Sequence, residues 1–195
     1  QIEDGTHVSG WFQSEKYFRH NRENVLSWFQ PRNIHQESID RIETSWDCEP
    51  EHRCAIHVRL GDYRRLESED SSGKGSWCLP IEYYRRAIES LPVGLMYFLF
   101  SDEPEFAGEL FKDLKNVRIV KGNAPVVDMF LISRCRYNII ANSSFSWWAA
   151  WLNKHKNKRV LAPQFHLGWS LGKWMPEGIQ VEGWEYCEVR FCNHV

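Results

Sequence analysis

From Cys54 onward, short and wholly apolar runs alternate with stretches of helical spacing, and few folds accept that rhythm. It predicts strands at 54–58, 96–100, 117–120, 137–141 and 159–162, with helices at 80–91, 104–114, 126–135 and 145–153. Apolar runs that lack polar alternation read as strands covered on both faces. A helix between each pair of strands is what a crossover connection needs, so the strands are expected to lie parallel. The predicted fold class is α/β, a parallel sheet flanked by helices. Pro80 suits a first helical turn, and Asp102 with Glu105 makes a capping-box-like pair for the helix from Pro104. Before about Cys48 the chain reads as helical or irregular: Phe18, Val25, Leu26 and Phe29 are spaced along 15–29, and Pro31 ends that stretch. The tract at 67–75, ESEDSSGKG, is predicted as a polar loop. The last thirty residues, rich in Gly and Trp, give no clear pattern.

This frame also predicts where a site belongs. In open parallel sheets, ligands bind outside the carboxyl ends of the strands. The residues after the five strands are Arg59, Ser101-Asp102, Lys121-Gly122-Asn123, Asn142-Ser143-Ser144 and Pro163-Gln164. They are polar at four of the five places and are expected to share one sheet edge. The turn Asn142-Ser143-Ser144 ends a strand and opens a Trp-rich helix at Phe145, an arrangement suited to anions because N–H groups and the helix dipole converge there. Its plainer role is a serine cap on a buried helix. At the end of the first strand stands His57-Val58-Arg59-Leu60-Gly61-Asp62-Tyr63. The guanidinium of Arg59 fits a phosphate through paired hydrogen bonds, Gly61 permits a sharp turn, and Asp62 can orient an arginine or accept a proton. An Arg59–Asp62 ion pair that merely holds the loop is the competing role.

Composition excludes several classes. The 195 residues carry 24 basic and 26 acidic side chains, net −2, so nothing favours nucleic acid, and no polybasic run favours a membrane surface. No apolar run approaches the ~20 residues of a membrane span, and the start does not resemble a signal peptide. The chain begins at Gln1 rather than Met, which leaves room for an upstream segment or anchor. Of six cysteines none form a CxxC pair. Cys54 and Cys135 read as buried thiols, and Cys187 with Cys192 suit pairing only in an oxidising compartment, so mostly reduced thiols are expected. The ten Trp suit either a core or a carbohydrate-stacking surface. There is no DxD or HExxH, the eight His lack ligand spacing, and no metal is expected. GxGxxG, P-loop and GxSxG motifs are absent as well.

Together these residues carry a resemblance. HVRLGDY at 57–63 resembles the HxRRGDY motif of the α-1,2-fucosyltransferases, glycosyltransferase family 11. DMFLISRCRYNIIANSSFSWWAAWL, from Asp128, is similar to that family's second signature, and GWFQSEKYF at 10–18 resembles its GYFQSEKYF segment. Arg159-Val-Leu-Ala-Pro163 is similar to the strand that follows. The resemblance runs through the chain in the family's order and matches its C-terminal two-thirds, because members reach nearly 300 residues and begin with a Gly-rich strand–loop not found here. It implies the Rossmann-like, donor-binding half of a two-domain GT-B transferase that uses GDP-fucose and inverts the anomeric centre without an essential metal or other cofactor. Residues 1–50 would then be a helical remnant of the acceptor-side domain or a linker, and 51–195 the nucleotide-sugar domain.

Residue by residue, the resemblance assigns Arg59 to the donor β-phosphate, with His57 and Asp62 at the flanking positions. It places Asn142, Ser143, Ser144 and Phe145 near the pyrophosphate or nucleoside, and Asp128 near the guanine or ribose. Asp102 resembles an acidic strand-end residue of related fucosyltransferases, and with Asp62 it is a candidate base. Leu60 stands where the family has a second arginine, so the phosphates are expected to lose a cationic partner; Tyr137 stands where the signature often has His. The expected reaction transfers fucose from GDP-fucose to the 2-hydroxyl of a galactose-terminated glycan. The alternatives are another GDP-sugar donor, or a fragment that binds nucleotide or glycan without catalysis. The expected location is cytoplasmic, peripheral to the inner membrane, with the Golgi lumen as alternative if an anchor precedes the chain. Acceptor and oligomeric state are left open.

Overall fold

A computed structural model describes residues 5–7, 13–69 and 77–190. Two single 3-10 turns, Glu15–Tyr17 and Arg19–Asn21, precede α1 (Arg22–Trp28) and α2 (Asn33–Thr44). Then β1 (Arg53–Val58) leads to α3 (Gly61–Glu69) and α4 (Ile81–Glu89), β2 (Met96–Ser101) to α5 (Pro104–Leu110), and β3 (Val117–Val120) to α6 (Pro125–Ser133). Next, β4 (Tyr137–Ile139) leads to α7 (Ser144–Leu152), and β5 (Arg159–Pro163) and β6 (Glu185–Cys187) complete the sheet. All neighbouring strands pair in parallel, in the order β3-β2-β1-β4-β5-β6. The order grows outward from β1 in one direction and then restarts beside it with β4. Crossovers on the two sides therefore diverge and leave a crevice at the carboxyl ends of β1 and β4.

The two-residue period of β1 builds both layers. Cys54, Ile56 and Val58 pack with Tyr83, Tyr84 and Ala87 of α4 and Ala107 of α5, while Ala55 on the other face joins Ile39 of α2, Leu131 and Ile132 of α6 and Ala149 of α7. Cys54 and Cys135 are buried thiols, as expected. Most of the tryptophans of α7 serve the core: Trp147 and Trp151 pack with Val25 and Leu26 of α1, and Trp148 stacks between Phe18 and Phe29 at 5.2 Å from each. Ionic contacts fasten α2 to the sheet. The nearly buried Arg53 pairs with Glu43 at 2.6 Å and also donates to the Cys48 carbonyl, while Arg134, at the C-cap of α6, binds Glu43 and Asp40.

Four elements depart from the sequence reading. α3 runs through Glu69, so the start of the tract expected to be loop is helical, and residues 70–76 lie outside those described. Its sequence, GDYRRLESE, lacks the apolar period that marks a helix of the core. α2 and β6 also went unread, the latter because only three residues pair along Leu161–Pro163. Lastly, Asp102 does not cap α5. Glu103 is the N-cap residue and makes no side-chain cap, the Ser101 hydroxyl accepts from the Glu103 N–H at 3.1 Å, and the Asp102 carboxylate is drawn to the end of β1. Cys192, the proposed partner of Cys187, lies outside the described residues.

Buried polar groups fix how α6 and α7 meet β4. The Asn138 amide donates to Ile132 O, and the Asn153 amide donates to Asn138 Oδ1 and Cys135 O, each at 2.8 Å. Asn153→Ala would strand two buried acceptors and should cost roughly 2–4 kcal/mol in denaturant unfolding. Two buried histidines set the acid limit. Burial lowers the pKa of His57 to about 3 and of His166 to about 4. The unfolded chain takes up these protons near pH 6.5 and the folded chain resists them, so stability is complete above pH 6.5 and falls as the pH drops. The expected loss approaches about 1.4 kcal/mol per pH unit for each histidine, and His57→Gln should flatten the slope between pH 6 and 4 by about half.

Candidate functional site

A cleft of about 320 Å³ crosses the carboxyl ends of β3, β2 and β1 and reaches the N-terminus of α7. Phe100, Val120 and Phe145 supply apolar wall, while His57, Arg59 and Asp128 supply polar groups. This is the size and chemistry of a small-molecule site. The strand-end residues Arg59, Ser101, Asp102, Lys121, Gly122 and Asn123 do converge here; Asn142, Ser143, Ser144, Pro163 and Gln164 do not line it, nor does Asp62.

Arg59 is held in place before any ligand arrives. Its Nε and Nη2 bond Asp62 Oδ1 at 2.9 and 2.8 Å, and Nη1 pairs with Asp102 Oδ2 at 3.1 Å. The Nε contact is a hydrogen bond and the two Nη contacts are ion pairs, so the guanidinium keeps Nη N–H donors for a ligand oxygen. Strand register explains the meeting: Val58 lies opposite Ser101, so the next residues, Arg59 and Asp102, emerge side by side. Asp102 Oδ1 also accepts the Leu60 N–H at 2.9 Å. A Cβ at Gly61 would fall 2.6 Å from Asp102 Oδ2, so any side chain there would push the carboxylate from its place beside Arg59. Leu60 packs among core residues and is only 5 % exposed. Its side chain does not line the cleft.

At the turn after β4, Ser143 caps α7 and its Oγ accepts the Phe145 N–H at 3.3 Å; Ser144 is exposed, and Phe145 lies 5.2 Å from the His57 ring. The turn is pinned from α3 and the chain beyond: Tyr63 OH donates to Asn142 O at 3.0 Å, and the Asn142 amide donates to Trp77 O at 2.9 Å. Asn142 Oδ1 and His57 Nδ1 are buried without a hydrogen-bond partner among the described residues. Burial, and secondarily the Arg59 charge, keep His57 neutral. Across the cleft, Asp128 on the first turn of α6 accepts from Asn123 Nδ2 at 2.9 Å, and burial raises its pKa against that bond.

A second, wider cavity of about 650 Å³ lies beyond the Arg59–Asp102 pair, which lines both; its remaining wall is Gly61, Asp62, Arg64, Arg65 and Glu103. The sequence reading missed Arg64 and Arg65 because α3 was not seen, and Glu103 because Asp102 was taken as the cap of α5. It also missed Phe100 and Val120 as cleft wall, although each is the apolar residue just before a strand-end loop. Among the described residues no group of three or more His, Cys, Asp or Glu is placed to hold a metal, and no helix is long and apolar enough to cross a membrane.

Sequence comparison places the chain in a family. The model for Glycosyl transferase family 11 matches residues 5–187. An alpha-1,2-colitosyltransferase of Escherichia coli is 34% identical over 161 residues, covering 79% of this chain and 53% of that protein. The Escherichia coli O-antigen biosynthesis glycosyltransferase WbnK is 31% identical over 175 residues, covering 84% and 56%. Galactoside alpha-(1,2)-fucosyltransferase 1 of Alouatta belzebul is 25% identical over 158 residues, covering 74% and 42%. The chain thus spans about half the length of the curated relatives it matches. With the family model matched along nearly its whole length, the chain belongs to glycosyltransferase family 11.

Proposed function

We propose that the chain is the donor-binding part of an inverting α-1,2-fucosyltransferase, which moves L-fucose from GDP-fucose to the 2-hydroxyl of a galactose-terminated glycan. The observation that carries this reading is Arg59, fixed by two carboxylates at the end of β1 and opening onto a cleft beside the N-terminus of α7. The α-1,2 linkage is supported by the names of the colitosyl- and fucosyltransferase relatives.

In this reading the guanine lies between Phe100, Val120 and Phe145, with Asp128 accepting from its N–H groups, and the diphosphate meets Arg59 and the first turn of α7. Asp128 suits that part because a half-buried carboxylate with a single amide partner has acceptor capacity to spare. Neutral His57 can donate one ring N–H without adding charge. The reaction is a single displacement: the acceptor oxygen bonds to the anomeric carbon while the bond to the GDP oxygen breaks. Negative charge grows on the departing diphosphate, where Arg59 is already oriented and needs no reorganisation. Asp62 and Asp102 are the carboxylates within reach of the acceptor proton.

A second reading, transfer of a different GDP-sugar, is favoured by the colitosyltransferase relative. Calorimetric titration with GDP, GDP-fucose and GDP-mannose separates the two; binding of GDP with no preference for GDP-fucose would count against the fucosyl assignment. Arg59→Ala should weaken GDP binding by about 1.5–3 kcal/mol with the fold intact, the range for hydrogen bonds to charged groups. Ser144→Ala should cost less, because the backbone N–H groups stay. Asp128→Ala should reduce the preference for GDP over ADP about tenfold or more, a loss of at least ~1.4 kcal/mol; an unchanged preference would remove Asp128 from the base site.

A further inference from the structure

The two cavities that share the Arg59–Asp102 wall differ in chemistry. The smaller one has aromatic and aliphatic wall for a planar base. The larger one is lined, apart from Gly61, by carboxylates and guanidinium groups: Asp62, Asp102 and Glu103 with Arg59, Arg64 and Arg65. No aromatic or aliphatic side chain lines it to sandwich a base, whereas planar charged groups at close spacing suit the many hydroxyls of a sugar, each both donor and acceptor. We infer that this larger cavity is the acceptor subsite, holding the terminal neutral sugar of the acceptor glycan against Asp62, Arg64 and Glu103. The inference rests on the donor assignment of the smaller cavity. It places part of acceptor recognition inside this chain rather than wholly on an N-terminal domain.

Three further observations bear on it. The partition between the cavities is one pair of side chains thick, so an acceptor hydroxyl and a donor anomeric carbon on its two sides can approach each other. The carboxylates also differ in what they have left to offer. Asp102 accepts the Leu60 N–H through Oδ1 and pairs with Arg59 through Oδ2. Asp62 meets Arg59 through Oδ1 for both of its contacts, which leaves Oδ2 for the acceptor. Asp62 is thus the carboxylate that takes the hydroxyl proton as the new C–O bond forms and the pair of electrons from the broken bond leaves with GDP. Glu103 and Arg64, paired at 2.6 Å, form the outer rim.

Lactose is the probe, added to the GDP-saturated chain and followed by saturation-transfer NMR, with GDP affinity measured in parallel by calorimetry. The double variant Arg64→Ala/Glu103→Ala removes one charge of each sign, so the local field is little changed, and the exposed pair contributes little to folding. The expected result is lactose binding to the wild-type chain, weakened about tenfold in the variant, while GDP affinity stays unchanged. Equal lactose binding by the variant overturns the assignment, as does failure of the GDP-loaded wild type to bind lactose. Failure of the wild type to bind GDP at all is a different result: it removes the donor reading and, with it, this inference.

Discussion

The site depends on one carboxylate. Asp102, at the end of β2, binds the backbone of Leu60 and the guanidinium of Arg59 at the end of β1, and so ties the two loops that a parallel sheet brings side by side. A Cβ at Gly61 would crowd Asp102 Oδ2 at 2.6 Å, and glycine leaves the carboxylate its place. With Asp62 gripping the other side, Arg59 is kept extended over the cleft instead of sampling its many rotamers. That restraint lowers the entropy lost when a phosphate binds, and it aims charge where a leaving diphosphate needs it.

Around this contact the fold is arranged so that polar loops come together at one edge while everything beneath is apolar. β1 is buried along its whole length and faces a helical layer on each side. The restart of strand order at β4 opens the crevice between the loops after β1 and β4. α3 then binds the β4–α7 turn through Tyr63, which couples the two lips of the crevice. Among the described residues, His57 Nδ1 and Asn142 Oδ1 are buried without a partner. Unsatisfied buried polar atoms are costly in a folded core and concentrate where a structure serves a ligand.

Much of this was legible in the residues. Five strands lie within two residues of their predicted ends, because apolar runs between helices have few other uses. The convergence of the residues that follow β1, β2 and β3 came from parallel order alone. What failed did so for physical reasons. Asp102 had the spacing of a helix cap, but a cap bond is worth about 1 kcal/mol, and a charged partner plus a backbone N–H from a neighbouring strand outweighed it. α3 escaped notice because its sequence is charged and shows no core-facing period.

The sequence by itself determined the parallel α/β architecture, the edge where the site lies and the family to which its motifs point. These are carried by local periodicity and by residues adjacent in the chain. Tertiary structure alone decided that Arg59 is shared by Asp62 and Asp102, that it separates two cavities, and that Arg64 and Glu103 face the second. Those relations depend on strand register and on loops 42 residues apart in the chain, and no local pattern encodes a distance of that kind.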